Sequence, residues 1–150
     1  MSDSDLIKLY SGRILELAAD IPHHGRLPEA QATVRKRSPL CGSTVTVDLV
    51  MQHGRVSGFG QDVKACALGQ AAASLLGQVV IGRSAAELAT GRDALRAMLQ
   101  GTGPVPAAPF DGFVVLTPAC DYKNRHASIL LAIEAAAEAA AMAEAAAQLG

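Results

Sequence analysis

The chain has few aromatic side chains, 3 % of its 150 residues, and no tryptophan. Because half of the residues are nevertheless hydrophobic, the apolar content consists mainly of Ala, Val, Leu and Ile, which suits close helix packing on a small sheet. Charged side chains are also scarce, and a charged fraction of 18 % argues against a disordered chain. With 13 basic and 14 acidic residues the net charge is −1, so there is no basic excess that would indicate nucleic-acid binding.

Long apolar runs are absent as well. The longest stretch without a charge, residues 65–82, is interrupted by Gln70, Ser74, Gln78 and several glycines, so no membrane span is expected. The first residues, MSDSD, lack the basic and apolar regions of a signal peptide. The three cysteines are an odd number, and without export they should stay reduced. We therefore expect one cytoplasmic domain over residues 1–150, with free thiols.

The pattern of apolar residues predicts a helix and then a small sheet in the first half of the chain. Residues 5–20 carry apolar side chains at three- and four-residue steps, which predicts a first helix with Ser4 as its N-cap. Alternation is strongest over residues 44–51, and a turn over 52–55 predicts that residues 56–63 return as a hairpin partner, with bulges at Gly58 and Gly60. Residues 32–37 are a candidate third strand.

The second half of the chain is predicted to be mostly helical. Small residues over 67–76 predict a helix in close contact with the sheet. Ser84 and Glu87 have the spacing of a capping box, which predicts a short helix that Gly91 ends before another over 92–99. Residues 110–116 fit a helix or a strand, residues 118–124 predict a loop, and an Ala-rich helix is predicted over 125–148. This order predicts an α+β fold, a small antiparallel three-stranded sheet with helices packed on one face.

Four side chains have the chemistry of soft metal ligands. Cys41 lies in a loop before the strongest strand, and Cys66 lies at the start of a helix, where the macrodipole favours a thiolate. His126 begins the last helix, and Cys120 precedes it in a loop. Two thiolates and one imidazole suit zinc or an iron–sulfur cluster, although each residue taken alone is more typical of an ordinary buried or hydrogen-bonded side chain. Their spacing matches no zinc-finger motif.

Three segments, in order along the chain, resemble the signatures of the NifU-like iron–sulfur scaffold family, which includes the IscU and SufU proteins. Residues 39–42 (PLCG) before the strand resemble the first signature, residues 58–76 resemble the second, and residues 122–130 (YKNRHASIL) are similar to the third. The opening helix and the HHGRL loop resemble the SufU branch. The resemblance implies the family's α+β fold. It also implies that Cys41, Cys66 and His126 bind a [2Fe–2S] cluster, or zinc in the isolated protein, with Cys120 as a further candidate ligand.

The sequence departs from the family pattern at the predicted site. Ser43 stands where the family has an aspartate, a metal ligand that also promotes cluster transfer, and Ala65 replaces a glycine. The third family cysteine is missing, and either Ala127 or His126 aligns with it. The residues that follow favour His126, which is the metal-capable side chain of this segment in both alignments. The LPPVK motif of the IscU branch is also absent, so the resemblance implies no dedicated chaperone partner.

The resemblance implies a scaffold or carrier rather than an enzyme, without catalytic residues. Its partners would be a cysteine desulfurase as sulfur donor and apo iron–sulfur proteins as acceptors, with the chain a monomer or a weak homodimer. Two alternatives remain open. One is a zinc-binding sulfur-transfer partner of the desulfurase, as in the SufU branch, and the other is a diverged paralogue that keeps the fold without cluster assembly activity. All of these hypotheses except the last require Cys41, Cys66 and His126 to meet around one solvent-reachable point.

Overall fold

The structure is a computed structural model that describes residues 11–39 and 42–149. The described elements run from a helix through three strands to two further helices, a 3₁₀ segment and a long final helix. They are α1 (Gly12–Ala19), β1 (Ala32–Arg37), β2 (Thr44–Gln52), β3 (Arg55–Lys64), α2 (Ala67–Val79), α3 (Ala85–Gln100), the 3₁₀ segment (Phe110–Asp121) and α4 (Lys123–Leu149).

The strands form one antiparallel sheet in the order β1-β2-β3, as the alternation of apolar residues predicts. Val45, Val47 and Leu49 of β2 are buried on the face that α4 covers, whereas Thr44 and Thr46 lie on the opposite, outer face. Helices α2 and α3 in turn pack on α4. The predicted α+β fold, a three-stranded antiparallel sheet with helices on one face, is therefore confirmed.

The hairpin between β2 and β3 contains one register shift. Val50 pairs with Gly58 and Met51 pairs with Val56, so Ser57 is the extra residue of a bulge. The bulge predicted at Gly58 is thus found next to that residue. No shift occurs at Gly60, and that part of the prediction is wrong.

Gly60 instead allows the loop between α1 and β1 to cross the sheet closely. A Cβ atom on Gly60 would lie 2.9 Å from the Gly25 carbonyl oxygen and 3.0 Å from the Leu27 nitrogen. The same loop pairs with the free edge of β3, where the Gly25 N–H donates to the Gln61 carbonyl and the Gln61 N–H donates to the His23 carbonyl. A side chain at position 60 would push this backbone away, so the glycine serves a close approach rather than a bulge.

Helix α3 is a single helix rather than the two short helices predicted on either side of Gly91. Its capping box is present as predicted, with the Glu87 N–H donating to Ser84 Oγ and the Ser84 N–H donating to the Glu87 carboxylate. Gly91 lies inside the helix and does not end it. It faces the ring of Phe110, whose nearest carbon would lie 2.7 Å from a Cβ atom at this position. The glycine is needed for packing, and the helix ends instead at Gly101, in the left-handed conformation.

The 3₁₀ segment extends to Asp121 and so covers most of the loop predicted over 118–124. It also shows that residues 110–116, which fit a helix or a strand, are helical. Its buried side chains, Phe110, Phe113, Leu116 and Ala119, recur every third residue, which is the period of a 3₁₀ helix. A three-residue period matches neither the two-residue period of a strand nor the 3.6-residue period of an α-helix, so the sequence pattern alone does not predict this segment. Helix α4 then begins at Lys123, two residues earlier than predicted.

Helix α4 forms the centre of the molecule and contacts the sheet, α2 and α3. Small side chains allow this close packing, since six alanines between positions 135 and 143 are at most 3 % exposed. Two ion pairs cross its flanks, from Lys36 Nζ to Glu138 at 2.6 Å and from Arg96 Nη2 to Glu134 at 2.9 Å. The Ala-rich segment is therefore a core helix rather than a low-complexity tail.

Helix α1 occupies only part of the helix predicted over 5–20. Ser11 has an extended backbone and its hydroxyl accepts from the Ile14 N–H, so Ser11 is the N-cap of α1. The predicted N-cap, Ser4, lies outside the described residues. Within the described part of the chain, none of the helices combines the length and the apolar character needed to cross a bilayer.

Candidate metal and sulfur site

Cys66 lies where β3 gives way to α2. It occupies the N-cap position of α2 with an extended backbone, and its thiol makes no capping hydrogen bond. The side chain is half-buried, and its sulfur lies 3.4 Å from Ser128 Oγ of α4. The thiol is therefore turned toward the first turns of α4, the part of the chain that also carries His126.

Ser128 links Cys66 to the loop that carries Cys41. The Ser128 hydroxyl donates to Ser43 Oγ at 3.0 Å, and both serines are at most 3 % exposed. Because this bond uses the one hydroxyl proton of Ser128, the Cys66 S–H donates to Ser128 Oγ in the neutral state. We call the chain Cys66–Ser128–Ser43 the hydroxyl bridge. It joins the start of β2, the end of β3 and α4.

Gly69 makes room for the hydroxyl bridge. A Cβ atom on this glycine would lie 2.6 Å from Ser128 Oγ and 2.8 Å from the Ala65 Cβ atom. Real Cβ atoms do not approach other atoms so closely, so any side chain at position 69 would push α2 away from α4 or displace Ser128. The missing side chain of Gly69 therefore leaves room for Ser128 beside the Cys66 thiol.

His126 lies in the first turns of α4 and is half-buried. Its Nε2 atom lies 3.0 Å from the carbonyl oxygens of both Ala119 and Cys120. Carbonyl oxygens only accept hydrogen bonds, so Nε2 carries a proton and donates to both. In the neutral imidazole this leaves the lone pair on Nδ1, the atom that would bind a metal.

Cys120 lies near the end of the 3₁₀ segment and is half-buried. Its thiol donates to the Met98 carbonyl of α3 at 3.3 Å. Burial raises the pKa of the Cys120 thiol above its ordinary value, and the nearby Asp121 carboxylate raises it further. This thiol is thus stabilised in its neutral form, which is the form that does not bind metals.

Cys41, the first of the predicted ligands, lies outside the described residues, so its distance to Cys66 and His126 stays a prediction. No group of three or more His, Cys, Asp or Glu side chains that could hold a metal ion occurs within residues 11–39 and 42–149. What the structure brings together is the hydroxyl bridge, whose serines flank two of the predicted ligands. Only Gly42 separates Ser43 from Cys41, and only Ala127 separates Ser128 from His126.

Sequence reasoning missed the role of Ser128 and a buried carboxylate on the sheet. Ser128 follows His126 on α4, and nothing in its spacing indicates a contact with Cys66. Asp48 occupies an outer-face position of β2, where alternation predicts exposure, yet it is 1 % exposed. It accepts hydrogen bonds from Arg26 Nε at 2.6 Å and Thr33 Oγ1 at 2.6 Å. These bonds, with one from the Leu27 N–H, lower the pKa of Asp48 to about 2 even though burial raises it.

Comparison with known proteins agrees with this fold and with the family that the sequence resembles. The family model described as the NifU-like N terminal domain matches residues 9–129. A nitrogen-fixing NifU-like protein (N-terminal) from Brucella abortus is 44 % identical, with a TM-score of 0.90 over 94 % of this chain and 98 % of that chain. No curated protein matches the sequence.

A more distant structure has the same fold. It is the proposed iron–sulfur cluster assembly scaffold protein for the SUF system from Fervidobacterium islandicum, which is 18 % identical to this chain. The TM-score is 0.81 over 89 % of this chain and 98 % of that chain. At this identity the likeness concerns the fold alone.

Proposed function

Because the chain belongs to the NifU-like N-terminal domain family, we propose that it is an iron–sulfur cluster assembly scaffold or carrier. Its cargo is a [2Fe–2S] cluster, or the iron and sulfur from which one is built, held by Cys41, Cys66 and His126. The observation that carries the proposal is the hydroxyl bridge, with distances of 3.4 and 3.0 Å between its atoms. Through it, the segments that hold the three proposed ligands come together although they are far apart in the sequence.

In this proposal Cys66 is both a sulfur acceptor and a ligand. The Cys66 thiolate attacks the terminal sulfur of a persulfide on the cysteine desulfurase, the donor cysteine leaves as a thiolate, and Cys66 carries the persulfide. An external reductant, a low-molecular-weight thiol or a one-electron carrier protein, then supplies two electrons for each persulfide sulfur that becomes sulfide. Iron joins, and the cluster passes to an apo acceptor protein. The chain itself completes no turnover, since the cluster leaves it as cargo.

The surroundings of the two described ligands support these roles. Once Cys66 loses its proton, Ser128 can rotate its hydroxyl toward the sulfur and donate to it, and a hydrogen bond to a charged sulfur is stronger than one to a neutral thiol. His126 offers Nδ1 while its Nε2–H is held by two backbone carbonyls. Such an outer hydrogen bond fixes the ring orientation of a metal-bound histidine.

A second candidate function is a zinc-binding sulfur-transfer partner of a cysteine desulfurase. Two thiolates, one imidazole and an open fourth position are a donor set that suits Zn²⁺. Ser43 favours this alternative, because a serine cannot supply the carboxylate with which the family aspartate promotes cluster transfer. Its hydroxyl is buried and already accepts from Ser128, and it stands where the family has an aspartate. The remaining alternative, a paralogue without cluster assembly activity, predicts neither metal.

Anaerobic reconstitution with iron and sulfide tests the proposal. The unaltered chain is expected to develop visible sulfur-to-iron charge-transfer absorption. In Cys66→Ala this absorbance is expected to be about tenfold lower, because a ligand is missing. Cys120→Ala is the matched control, since its thiol donates to the Met98 carbonyl. A colourless protein that binds zinc and accelerates a desulfurase would instead support the second candidate. Failure to bind either metal at micromolar concentration would contradict both.

His126 should contribute more to metal retention than Cys120. His126→Ala is expected to lower the affinity for Co²⁺, a spectroscopic substitute for Zn²⁺, by about 10- to 100-fold, because one ligand is lost. Cys120→Ala is expected to change this affinity by less than about twofold, since burial stabilises the neutral thiol. Titrations followed by ligand-field absorption measure both affinities. Equal losses in the two variants would identify Cys120 as a ligand.

A further inference from the structure

The outer face of the sheet carries a cleft of about 430 Å³ beside the proposed site. It is lined by three threonines, Thr33, Thr44 and Thr46, and by four charged residues, Arg26, Arg35, Lys64 and Asp62. We call it the basic cleft. It lies on the face opposite to the one that α4 covers, because Thr44 and Thr46 alternate with the buried valines of β2.

Strand register places the basic cleft at the end of the sheet that carries the predicted ligands. Arg37, Thr44 and Lys64 form the last cross-strand row, and Arg35, Thr46 and Asp62 form the row before it. Arg37 precedes the loop that contains Cys41, and Ala65 alone separates Lys64 from Cys66. The basic cleft and Cys66 therefore lie at the same end of the sheet, with the cations on the outer face and the thiol turned toward α4.

The cations of this face exceed its carboxylates. Arg26 already pairs with Asp48, which leaves Arg35, Arg37 and Lys64 against Asp62. All three of these cations are exposed, and in the described part of the chain none of them forms an ion pair. The whole chain has a net charge of −1, so this positive face is a local feature and not the consequence of a basic protein.

We propose that the basic cleft, extended by Arg37, docks an acidic segment of the protein that donates sulfur to Cys66. The proposal rests on the proposed function, because it takes the cysteine desulfurase as the partner. Unpaired cations at the rim of an interface attract an acidic partner and fix its orientation. The Thr46 hydroxyl can donate to a carboxylate oxygen in the same groove, whereas the Thr33 hydroxyl already donates to Asp48.

Removing two positive charges from the basic cleft, or two from elsewhere on the chain, tests the docking. In the double variant Arg35→Gln/Lys64→Gln, binding to the cysteine desulfurase of the same genome is expected to weaken about tenfold at about 0.1 M salt. The control Arg13→Gln/Lys36→Gln removes the same charge, with Lys36 on the opposite face of β1 and Arg13 on α1, and is expected to change affinity by less than about twofold. Biolayer interferometry measures these affinities.

Further measurements separate the outcomes. The difference between the two double variants should shrink at about 1 M salt, where the Debye length falls to about 3 Å. A decaglutamate peptide should compete with the desulfurase and a decalysine peptide should not. Equal binding of both double variants would overturn the docking, as would a decalysine peptide that competes as well as the decaglutamate peptide. If the unaltered chain does not bind the desulfurase, the docking proposal is also overturned. The scaffold function is tested separately, by reconstitution with iron and sulfide.

Discussion

Asp48→Asn is expected to lower the free energy of unfolding by about 2 kcal/mol at neutral pH. The carboxylate is 1 % exposed and accepts from Arg26, Thr33 and the Leu27 N–H. An asparagine keeps one acceptor oxygen but presents an NH₂ group to donors, so at least one of these bonds is lost. Arg26 is 59 % exposed and returns to water, which keeps the loss below that of an abandoned buried charge.

The same carboxylate makes stability depend on pH. In the folded chain hydrogen bonds lower the pKa of Asp48 from 3.8 to about 2, so the unfolded chain binds the proton more readily. The stabilisation is therefore complete above about pH 4 to 5 and is lost as the pH falls toward 2. Urea denaturation at a series of pH values should show the difference between the unaltered chain and Asp48→Asn shrinking over this range.

Asp62→Asn is the matched control for this prediction. Asp62 lies on the neighbouring strand in the row beside Asp48, and the same change of chemistry there is expected to alter stability by less than about 0.5 kcal/mol. If both variants lose the same stability at neutral pH, or if the loss in Asp48→Asn does not depend on pH, the buried hydrogen-bonded carboxylate is not the cause.

Most of the fold follows from local sequence patterns. The alternation in β2 and the capping box at Ser84 and Glu87 predict the sheet and the start of α3 because they record which face of an element is buried. The errors arise where contacts between distant residues decide. Gly91 is a packing residue because Phe110 approaches it, and Gly60 is one because the loop before β1 crosses it. Neither contact has a local signal in the sequence.

The candidate site was predictable as residue types and less so as geometry. The identities of Cys66 and His126 and their places at element ends follow from the sequence. The hydrogen bonds of Ser128 do not, because it lies on α4 and its two partners lie on segments that only the packing of α4 brings near. Ser43 shows the same limitation. Its sequence position indicates only that a carboxylate is missing, whereas the structure shows a buried acceptor for the hydroxyl of Ser128.

The packing of α2 against α4 at the hydroxyl bridge leads to the second prediction with a large effect. Gly69→Ala is expected to lower the free energy of unfolding by about 1 to 2 kcal/mol, because the new methyl group would meet Ser128 Oγ at 2.6 Å and the Ala65 Cβ atom at 2.8 Å. Gly12→Ala is the control, since no atom in the described part of the chain lies within 4 Å of a Cβ atom at that helical position. Because the new methyl group meets no neighbour at this first residue of α1, the free energy of unfolding there should change by less than about 0.5 kcal/mol.

A double-mutant cycle identifies the atom responsible. Ser128→Ala removes the oxygen at 2.6 Å, so Gly69→Ala should cost about 1 kcal/mol less in the Ser128→Ala background than in the unaltered chain. The contact with Ala65 persists in both backgrounds, so the rescue is partial. Because urea denaturation of the metal-free chain measures this coupling, it tests the position of the Ser128 hydroxyl independently of any cargo. A coupling of zero would mean that this hydroxyl does not lie between α2 and α4, and the bridge from Cys66 to Ser43 could then not form.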